Sequence, residues 1–245
     1  ELLPQNADQQ ANALFGQSVA IDGNHILIGA PGDGINGEAF LFVIDSAGYP
    51  GDGVSVLPDD SLSGDEFGFS VSISGTTLAV GAPGSDNAQG ASYVFDLAAN
   101  GEISQAGKIT RGENASNSDR VGQSVAVHEQ SLLSGAPKAT SEDGSSGGLY
   151  LETSLSEYSV PQATNERRGS RNSGDDFGQV ISIERVEENP IYGLGRPMAD
   201  PDGQPNAGIF NLANGTNYPL KAPSPQANDE FGIAGVVDGK RALVG

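Results

Sequence analysis

The chain has 245 residues and no cysteine, and its 12 basic and 32 acidic residues give a formal net charge of −20. The lack of cysteine excludes disulfides, thiolate catalysis and cysteine-based zinc sites. A surface this acidic repels nucleic acid and anionic membranes, and no apolar run reaches the ~20 residues of a membrane span. We therefore expect neither nucleic-acid binding nor membrane insertion.

Two short motifs recur along the chain at nearly constant spacing. Phe-Gly, with Val-Gly in the third copy, begins at residues 15, 67, 121, 177 and 231, so successive copies start 52, 54, 56 and 54 residues apart. Gly-Ala-Pro follows fourteen residues later in the first three copies. The fourth copy reads Gly195-Arg196-Pro197 after eighteen residues, and the fifth reaches only Gly245. The motif residues are Phe15, Gly16, Gly29, Pro31, Phe67, Gly68, Gly81, Pro83, Gly122, Gly135, Pro137, Phe177, Gly178, Gly195, Pro197, Phe231 and Gly232.

The elements of one repeat are clearest in the second copy. Residues 69–74 alternate apolar and polar, which predicts a half-buried strand. A turn at 75–77 leads to a short apolar strand, which Gly81-Ala82-Pro83 ends because proline has no N–H for a strand ladder. A third strand is predicted at 91–95 and, after the hairpin signal Asn100-Gly101, a fourth at 105–110.

The other copies predict the same unit with local changes. Third strands are expected at 38–43, 148–152 and 208–212, and copy four carries an insertion at 187–190 in its first turn. No segment has the 3.6-residue period of an amphipathic helix. We predict one all-β domain over 1–245, with an outer strand of a preceding sheet at 1–14, repeats at 15–66, 67–120, 121–176 and 177–230, and a partial repeat at 231–245.

These motifs resemble FG-GAP repeats, the unit of the integrin alpha-subunit β-propeller and of many bacterial secreted and surface proteins. The acidic pairs before the Phe, at 65–66, 175–176 and 229–230, resemble the bacterial branch. The resemblance implies a β-propeller of four-stranded antiparallel blades, with four complete repeats and a partial fifth from a ring of about seven. A five-bladed ring with a short last blade is the alternative. The resemblance also places Phe and Gly at contacts between blades, and Gly-Ala-Pro in the loop between strands two and three.

Calcium sites are not expected in the turns between strands one and two. In the integrin-like branch an aspartate-rich loop lies there, but this chain has short turns with too few carboxylates for calcium, which takes six or more oxygens. The nearest approach to a calcium motif is Asp200-Pro201-Asp202-Gly203, where Asp200 and Asp202 are weak metal candidates. Aligned as a calcium loop, this segment has Met198 and Ile209 at the essential first and twelfth positions, so a polar turn is favoured. No cofactor is expected.

Signals for catalysis are poor. His25 and His128 are placed in equivalent turns of different repeats, and the acidic pairs recur in three repeats, which favours a structural role. Arg167, Arg168 and Arg171 form a basic cluster that could hold a sulfated or acidic glycan or a partner's carboxylates, with a solvated outer loop as the alternative. Asn114 and Asn214 begin glycosylation sequons, which matter only in a host that glycosylates.

The leading hypothesis is a secreted or cell-surface protein that is not an enzyme and binds a protein or a glycan. The lack of cysteine fits a bacterial or archaeal exterior better than a eukaryotic one. The binding surface is expected in the loops after Gly-Ala-Pro, at 32–37, 84–90, 138–147 and 198–207, because these vary while the strands stay constant. One alternative is a structural subunit of an extracellular assembly or filament. Another is an accessory domain of a polysaccharide-degrading enzyme, whose hydrolase or lyase module would lie outside these residues.

Overall fold

The computed structural model describes residues 12–129, 131–140, 148–155, 165–168, 175–186, 189–213, 217–238 and 241–245. In this part of the chain the fold is all-β, with four sheets of four antiparallel strands and one sheet of two. The predictions of an all-β fold and of four-stranded antiparallel sheets are therefore confirmed. Helical structure in the described residues is limited to a short turn at Ser85–Ala88 and two 3-10 turns, at Gly112–Asn114 and Pro201–Gly203.

The strands follow the sequence repeats. Sheet 1 contains β1 (Ser18–Asp22), β2 (His25–Ala30), β3 (Glu38–Val43) and β4 (Val54–Val56). Sheet 2 contains β5 (Ser70–Ser74), β6 (Thr77–Ala82), β7 (Ala91–Leu97) and β8 (Ile103–Ile109). Sheet 3 contains β9 (Ser124–His128), β10 (Ser131–Ala136), β11 (Leu149–Ser154) and β12 (Asn165–Arg168). Sheet 4 contains β13 (Ile181–Val186), β14 (Asn189–Arg196), β15 (Ile209–Ala213) and β16 (Asn217–Leu220). Sheet 5 contains β17 (Gly235–Asp238) and β18 (Arg241–Val244).

Within each sheet the strands pair in chain order, so the first strand always lies at one edge. The first two strands form the same hairpin in every sheet, with two residues between the last pair, as in Asp22↔His25, Ser74↔Thr77 and Val186↔Asn189. Residues 187 and 188 of the insertion predicted for the first turn of copy four lie outside the described residues, between the paired Val186 and Asn189. Asn189 and Pro190 belong to β14, so this half of the insertion lies in a strand and not in the turn.

Gly-Ala-Pro is also placed differently from what the resemblance implied. Strands β2, β6 and β10 end at Ala30, Ala82 and Ala136, so the Gly and Ala of the motif belong to the second strand and only the Pro begins the loop. The proline follows the last paired residue, where its missing N–H costs the ladder nothing.

The sheets stack face to face in chain order, and their cores lie between them. One apolar cluster joins Leu27 and Leu41 of sheet 1 to Phe67 and Val71 of sheet 2. A second joins Ala79 and Val94 of sheet 2 to Val125 and Leu132 of sheet 3. A third joins Ala126 and Leu133 of sheet 3 to Phe177 and Ile181 of sheet 4. We call the contact between two neighbouring sheets a joint. Each buried Leu, Val or Phe contributes about 1.5–3 kcal/mol to a joint, so every inner sheet is stabilised from both sides.

Candidate functional site

Each Phe-Gly pair lies in a turn just before the first strand of its sheet. Positions are counted below from the Phe, or from Val121 in the third repeat. The glycine at +1 has a φ between 84° and 90° at Gly16, Gly68, Gly122, Gly178 and Gly232. The residue at −1 has a left-handed backbone conformation although it is not glycine. Its φ lies between 51° and 59° at Leu14, Glu66, Arg120, Asp176 and Glu230. Five repeats therefore share one strained turn, which needs glycine at +1.

The side chain at position 0 fills the space between neighbouring sheets. Phe67 is fully buried, with its ring centroid 5.6 Å from that of Tyr93 and 6.0 Å from that of Phe95 in its own sheet. The same ring belongs to the apolar cluster that includes Leu27 and Leu41 of sheet 1. The equivalent residues Val121 and Phe177 are also buried, whereas Phe15 and Phe231 in the outer sheets are only partly buried.

The glycine of Gly-Ala-Pro packs against the Phe-Gly turn of the next sheet. A Cβ added to Gly29 would lie 1.9 Å from the carbonyl oxygen of Gly68. A Cβ added to Gly81 would lie 1.9 Å from that of Gly122, and one added to Gly135 would lie 2.0 Å from that of Gly178. A serine at +3 donates to the same carbonyl, at 3.0 Å from Ser18 Oγ, 2.8 Å from Ser70 Oγ and 2.7 Å from Ser124 Oγ. The fourth repeat has Val180 at +3, and a Cβ on Gly195 would lie 2.3 Å from the Gly232 oxygen. These residues are packing elements of the joints.

An aspartate at −2 stabilises the turn that enters sheets 2, 3 and 5. The Oδ2 atom of Asp65 accepts from the Leu62 N–H at 2.9 Å, that of Asp119 from Ser116 at 2.8 Å, and that of Asp229 from Gln226 at 2.7 Å. Burial raises the pKa of Asp65. The acidic residue at −2 therefore caps a turn, a role typical of aspartate.

Two of these aspartates also bind arginines. Arg111 Nη1 lies 2.7 Å from Asp119 Oδ2, and both side chains are only 2% exposed. Arg196 Nη2 forms an ion pair with Asp175, whose side chain is 6% exposed. A buried ion pair of this kind is costly to break from one side, because an uncompensated charge remains.

The loops between strands two and three comprise 31–37, 83–90, 137–148 and 197–208, and residues 141–147 of the third loop lie outside the described residues. Their last residues bind the Phe-Gly turn of the next sheet: the Phe67 N–H donates to Asn36 O at 2.9 Å, Val121 to Gln89 O at 3.0 Å, and Phe231 to Ala207 O at 3.1 Å. Their tips are exposed, as at Ile35 (75%), Asp86, Asn87 and residues 202–205. The loops at 31–37, 83–90 and 197–208 are therefore anchored at their bases and exposed at their tips.

A charged cluster ties the loop of sheet 2 to its outer strand. Lys108 Nζ lies 2.8 Å from Asp60 Oδ2, 3.1 Å from Asp86 Oδ2 and 5.3 Å from the Tyr93 ring centroid. Partial burial alone would lower the pKa of Lys108, but the hydrogen bonds to Asp60 and Asp86 outweigh it and raise that pKa. Burial raises the pKa of Tyr93 to about 12. The lysine is thus held charged and the tyrosine neutral, so neither is prepared to act as a base.

The two weak metal candidates lie in the loop of sheet 4, and each has a bond to a protein group. Asp200 Oδ1 accepts from the Asn206 N–H at 2.8 Å, and Asp202 Oδ1 lies 2.7 Å from Lys221 Nζ. Among the described residues no group of three or more His, Asp and Glu side chains is arranged to hold a metal ion. The segment acts as a polar turn in this structure.

The remaining candidates are dispersed. Arg167 and Arg168 belong to the outer strand β12, so these two do not lie in a loop, and Arg171 lies outside the described residues. His25 begins β2 while His128 ends β9, so the two histidines flank their turns from opposite strands and are not equivalent. Asn114 is exposed in a 3-10 turn, and Asn214 lies outside the described residues.

The first strands of all five sheets line one cavity of about 570 Å³. At its end near the turns between strands one and two lie the side chains of Asp22, Ser74, His128 and Glu184, each at +7. His128 Nε2 is 3.8 Å from Glu184 Oε1, and Asp22 Oδ2 accepts from the Gly75 N–H at 2.6 Å. The sequence interpretation missed this cavity. A polar residue at +7 in every repeat was the available signal, but only the stacking of sheets brings these residues together.

The comparisons with known proteins agree with the repeat pattern. The FG-GAP repeat family model matches residues 5–42 and 52–95, and each match contains one Phe-Gly and one Gly-Ala-Pro motif. A search of curated proteins found no match. FG-GAP repeats are found in extracellular binding and adhesion domains. No helix in the described ranges is long and apolar enough to span a membrane. The chain is therefore similar to FG-GAP repeat proteins over residues 5–42 and 52–95.

Proposed function

We propose that this chain is an extracellular binding and adhesion scaffold without enzymatic activity, which recognises a protein or a glycan through the loops between strands two and three. We further propose that its sheets are blades of a β-propeller with about seven blades, within the range usual for such rings. The proposal rests on one observation: loops of different lengths are anchored side by side on repeated, nearly invariant joints. A rigid scaffold with variable loops is the usual arrangement of a recognition surface.

Two further observations support this function. FG-GAP repeats typically occur in extracellular proteins, in binding and adhesion domains. The Lys108 cluster beside the loop of sheet 2 holds its lysine charged and its tyrosine neutral, so it stabilises the loop and offers no base for catalysis.

The test changes exposed loop tips and leaves the anchors intact. We expect the triple variant Ile35→Ser, Asn87→Gly and Gln204→Ala to fold normally and to lose adhesion to cells and to an array of acidic and neutral glycans. The control is Tyr49→Ser with Tyr218→Ser, which removes two exposed tyrosines (70% and 54%) outside these loops. Adhesion that survives in the loop variant, or that falls equally in the control, would show that the loops are not the binding surface.

A second candidate function, assembly between copies, is favoured by two uncovered apolar faces. Val19 and Ile21 of sheet 1 are 53% and 65% exposed, whereas the equivalent Val71 and Ile73 of sheet 2 are 9% and 8% exposed beneath sheet 1. Leu243 of sheet 5 is 75% exposed, whereas its equivalent Leu27 is fully covered by sheet 2. The face of sheet 5 is therefore complementary to that of sheet 1, and head-to-tail stacking would bury both. Sedimentation of this chain over a range of concentrations tests it, and a strict monomer at high concentration excludes it.

A further inference from the structure

The tripeptide Asn-Gly-Glu occurs twice in the chain, at 36–38 and at 100–102. In an Asn-Gly pair the peptide nitrogen of the glycine can attack the side-chain amide carbon of the asparagine, because glycine has no side chain to hinder the approach. The local sequence is the same at both sites, so a difference in this reaction between them comes from the fold. A third Asn-Gly pair, Asn214-Gly215, lies outside the described residues.

The first copy lies inside a joint. The Phe67 N–H donates to Asn36 O at 2.9 Å, and the Gly37 N–H donates to Asp33 O at 3.0 Å. Gly37 is buried, and a Cβ added to it would lie 2.3 Å from the Phe67 carbonyl oxygen. Among the described residues no donor reaches Asn36 Oδ1, which is itself buried. The backbone at this copy therefore cannot rearrange toward a ring unless the joint between sheets 1 and 2 opens.

The second copy lies in the turn between β7 and β8. Asn100, Gly101 and Glu102 are all exposed, and a Cβ added to Gly101 would meet nothing within 4 Å. The Gly101 N–H donates to Ala98 O at 2.8 Å, within the same turn. Release of this bond opens no contact between sheets, so it costs only the fraying of a surface turn.

The turn also places a donor at the oxygen atom on which charge would develop. The Glu102 N–H donates to Asn100 Oδ1 at 3.1 Å, and Asn100 Nδ2 lies 3.4 Å from Glu102 Oε2. Attack at Cγ of Asn100 turns Oδ1 into an oxyanion, which a backbone N–H at this distance stabilises. Asn36 Oδ1 has no such donor within the described ranges.

We propose that Asn100 is a site of spontaneous deamidation and isomerisation. The Gly101 nitrogen gives its proton to solvent base and bonds to Cγ of Asn100, the Cγ–Nδ2 bond breaks, and Nδ2 takes a proton from water and leaves as ammonia. Water then opens the succinimide ring. Attack at Cγ breaks its bond to the Gly101 nitrogen and gives aspartate, whereas attack at the main-chain carbonyl carbon breaks that carbon's bond to nitrogen and gives isoaspartate. The net change is uptake of a water molecule and release of ammonia.

Both products change the hairpin of β7 and β8. Each adds a negative charge beside the Glu102 carboxylate, and like charges side by side are destabilising. Isoaspartate also adds a methylene group to the main chain of the turn. This turn is separate from the loops between strands two and three, so the proposal does not rest on the recognition function.

Incubation of the intact chain in mildly alkaline buffer made with heavy-oxygen water tests the proposal. Peptide mapping by mass spectrometry follows label uptake at each site, and labelling by an isoaspartyl methyltransferase detects the isomer. We expect label and isoaspartate at Asn100 at a rate at least about tenfold above that at Asn36, because opening a joint costs more than fraying a turn. Asn100→Gln, whose longer side chain does not close a five-membered ring, should abolish the signal at this site and leave the rate at Asn36 unchanged.

Unfolding in urea supplies the matched control. Without the fold the two identical tripeptides should react at rates within about twofold of each other. No label at Asn100 in the folded chain, or equal rates at Asn36 and Asn100 in the folded chain, would overturn the proposal. A difference of about tenfold that persists in urea would also overturn it, because the fold would then not be the cause. Each outcome leaves the loop-based adhesion test unaffected, so the two proposals can fail independently.

Discussion

At the scale of single residues, the contacts between neighbouring sheets depend on the glycine one residue before the end of each second strand. Gly29, Gly81 and Gly135 lie so close to the next Phe-Gly turn that any Cβ would overlap a carbonyl oxygen. The adjacent serine at +3 donates to that same oxygen, so shape and hydrogen bonding act on one atom. A joint therefore requires two small residues from one sheet and one glycine turn from the next.

We predict that Gly81→Ala lowers the free energy of unfolding by about 2–4 kcal/mol, because its Cβ would meet the Gly122 oxygen at 1.9 Å and backbone must move to relieve the overlap. The matched control is Gly107→Ala in β8, where a Cβ meets nothing within 4 Å. That variant should change stability by less than about 0.5 kcal/mol. Urea unfolding of both variants measures the difference, and equal losses would contradict the prediction.

The hydrogen bond at +3 allows a smaller and more specific prediction. Ser124→Ala should cost about 1 kcal/mol, because the Gly178 carbonyl loses a donor at 2.7 Å in a buried place. Val180→Ala, at the same position in the repeat that has no serine, removes no such bond and serves as the control. The same denaturation experiment compares them, and a Ser124 variant as stable as the parent would refute the role assigned to this hydroxyl.

The sequence alone identifies the motif glycines, but it does not single out the serines at +3. Phe-Gly and Gly-Ala-Pro stand out because they recur at fixed intervals, and a packing role was expected for them from their residue types. Ser18, Ser70 and Ser124 look like the ordinary polar residues of an alternating strand, and their partner lies about fifty residues away. Which hydroxyl meets which carbonyl depends on how the sheets stack, and one repeat alone does not show it.

At the scale of elements, the turn that enters sheet 3 is held by a buried ion pair. Asp119 accepts from the Ser116 N–H and binds Arg111, and its counterparts in other repeats make the same N–H bond. The sequence pointed to the acidic position through its recurrence. Its partner Arg111 could not be identified in this way, because the equivalent position ten residues before the Phe is basic in the fourth and fifth repeats but is Leu57 in the second, and the sequence does not show which basic residue meets the aspartate.

Asp119→Asn should lower the free energy of unfolding by about 3–5 kcal/mol, because the amide no longer compensates a guanidinium that is 2% exposed. Asp229→Asn is the matched control at the same position in the fifth repeat, where the residue is exposed and caps Gln226. It should cost at most about 1 kcal/mol. Thermal unfolding followed by circular dichroism decides between them, and similar losses would argue against a buried pair.

Alkaline pH should weaken the contact between the loop of sheet 2 and strand β8. In the folded chain the pKa of Tyr93 is raised to about 12, while an unfolded tyrosine ionises near 10. The stability that this difference contributes is fully present below about pH 10 and is lost as the pH rises through 12. The raised pKa of Lys108 acts in the same direction.

Tyr93→Phe removes the ionisable hydroxyl, so the free energy of unfolding should fall less steeply above about pH 10. At neutral pH the variant keeps most of the buried ring contact with Phe67. Urea unfolding at a series of alkaline pH values measures this, and Tyr49→Phe, at a tyrosine that is 70% exposed, is the control. An unchanged alkaline slope in Tyr93→Phe would show that another group is responsible.

At the scale of the whole molecule, stability comes from stacking, so it should vary along the stack. The first strands β1 and β5 have the same hairpin register, but the apolar side chains of β5 are covered by sheet 1 while those of β1 are half or more exposed. Each buried side chain contributes about 1.5–3 kcal/mol. Protection of backbone amides from hydrogen exchange should therefore depend more on whether a sheet is covered by its neighbours than on its own sequence.

We predict that amides of β1 exchange with solvent at least about tenfold faster than the equivalent amides of β5, since partial exposure of two side chains is worth more than about 1.4 kcal/mol. Hydrogen exchange followed by NMR or mass spectrometry measures both strands in one sample. Ile73→Ala serves as the internal comparison, because it should bring β5 toward the rate of β1. Equal protection of the two strands in the parent chain would contradict a stack stabilised through its joints.

The first strands line the cavity, and each is the edge strand of its sheet. Amino-acid replacement in these strands changes the contact between neighbouring sheets but leaves the peptide groups of the edge in place. The polarity that these edges give to the cavity therefore depends little on which side chains the first strands carry.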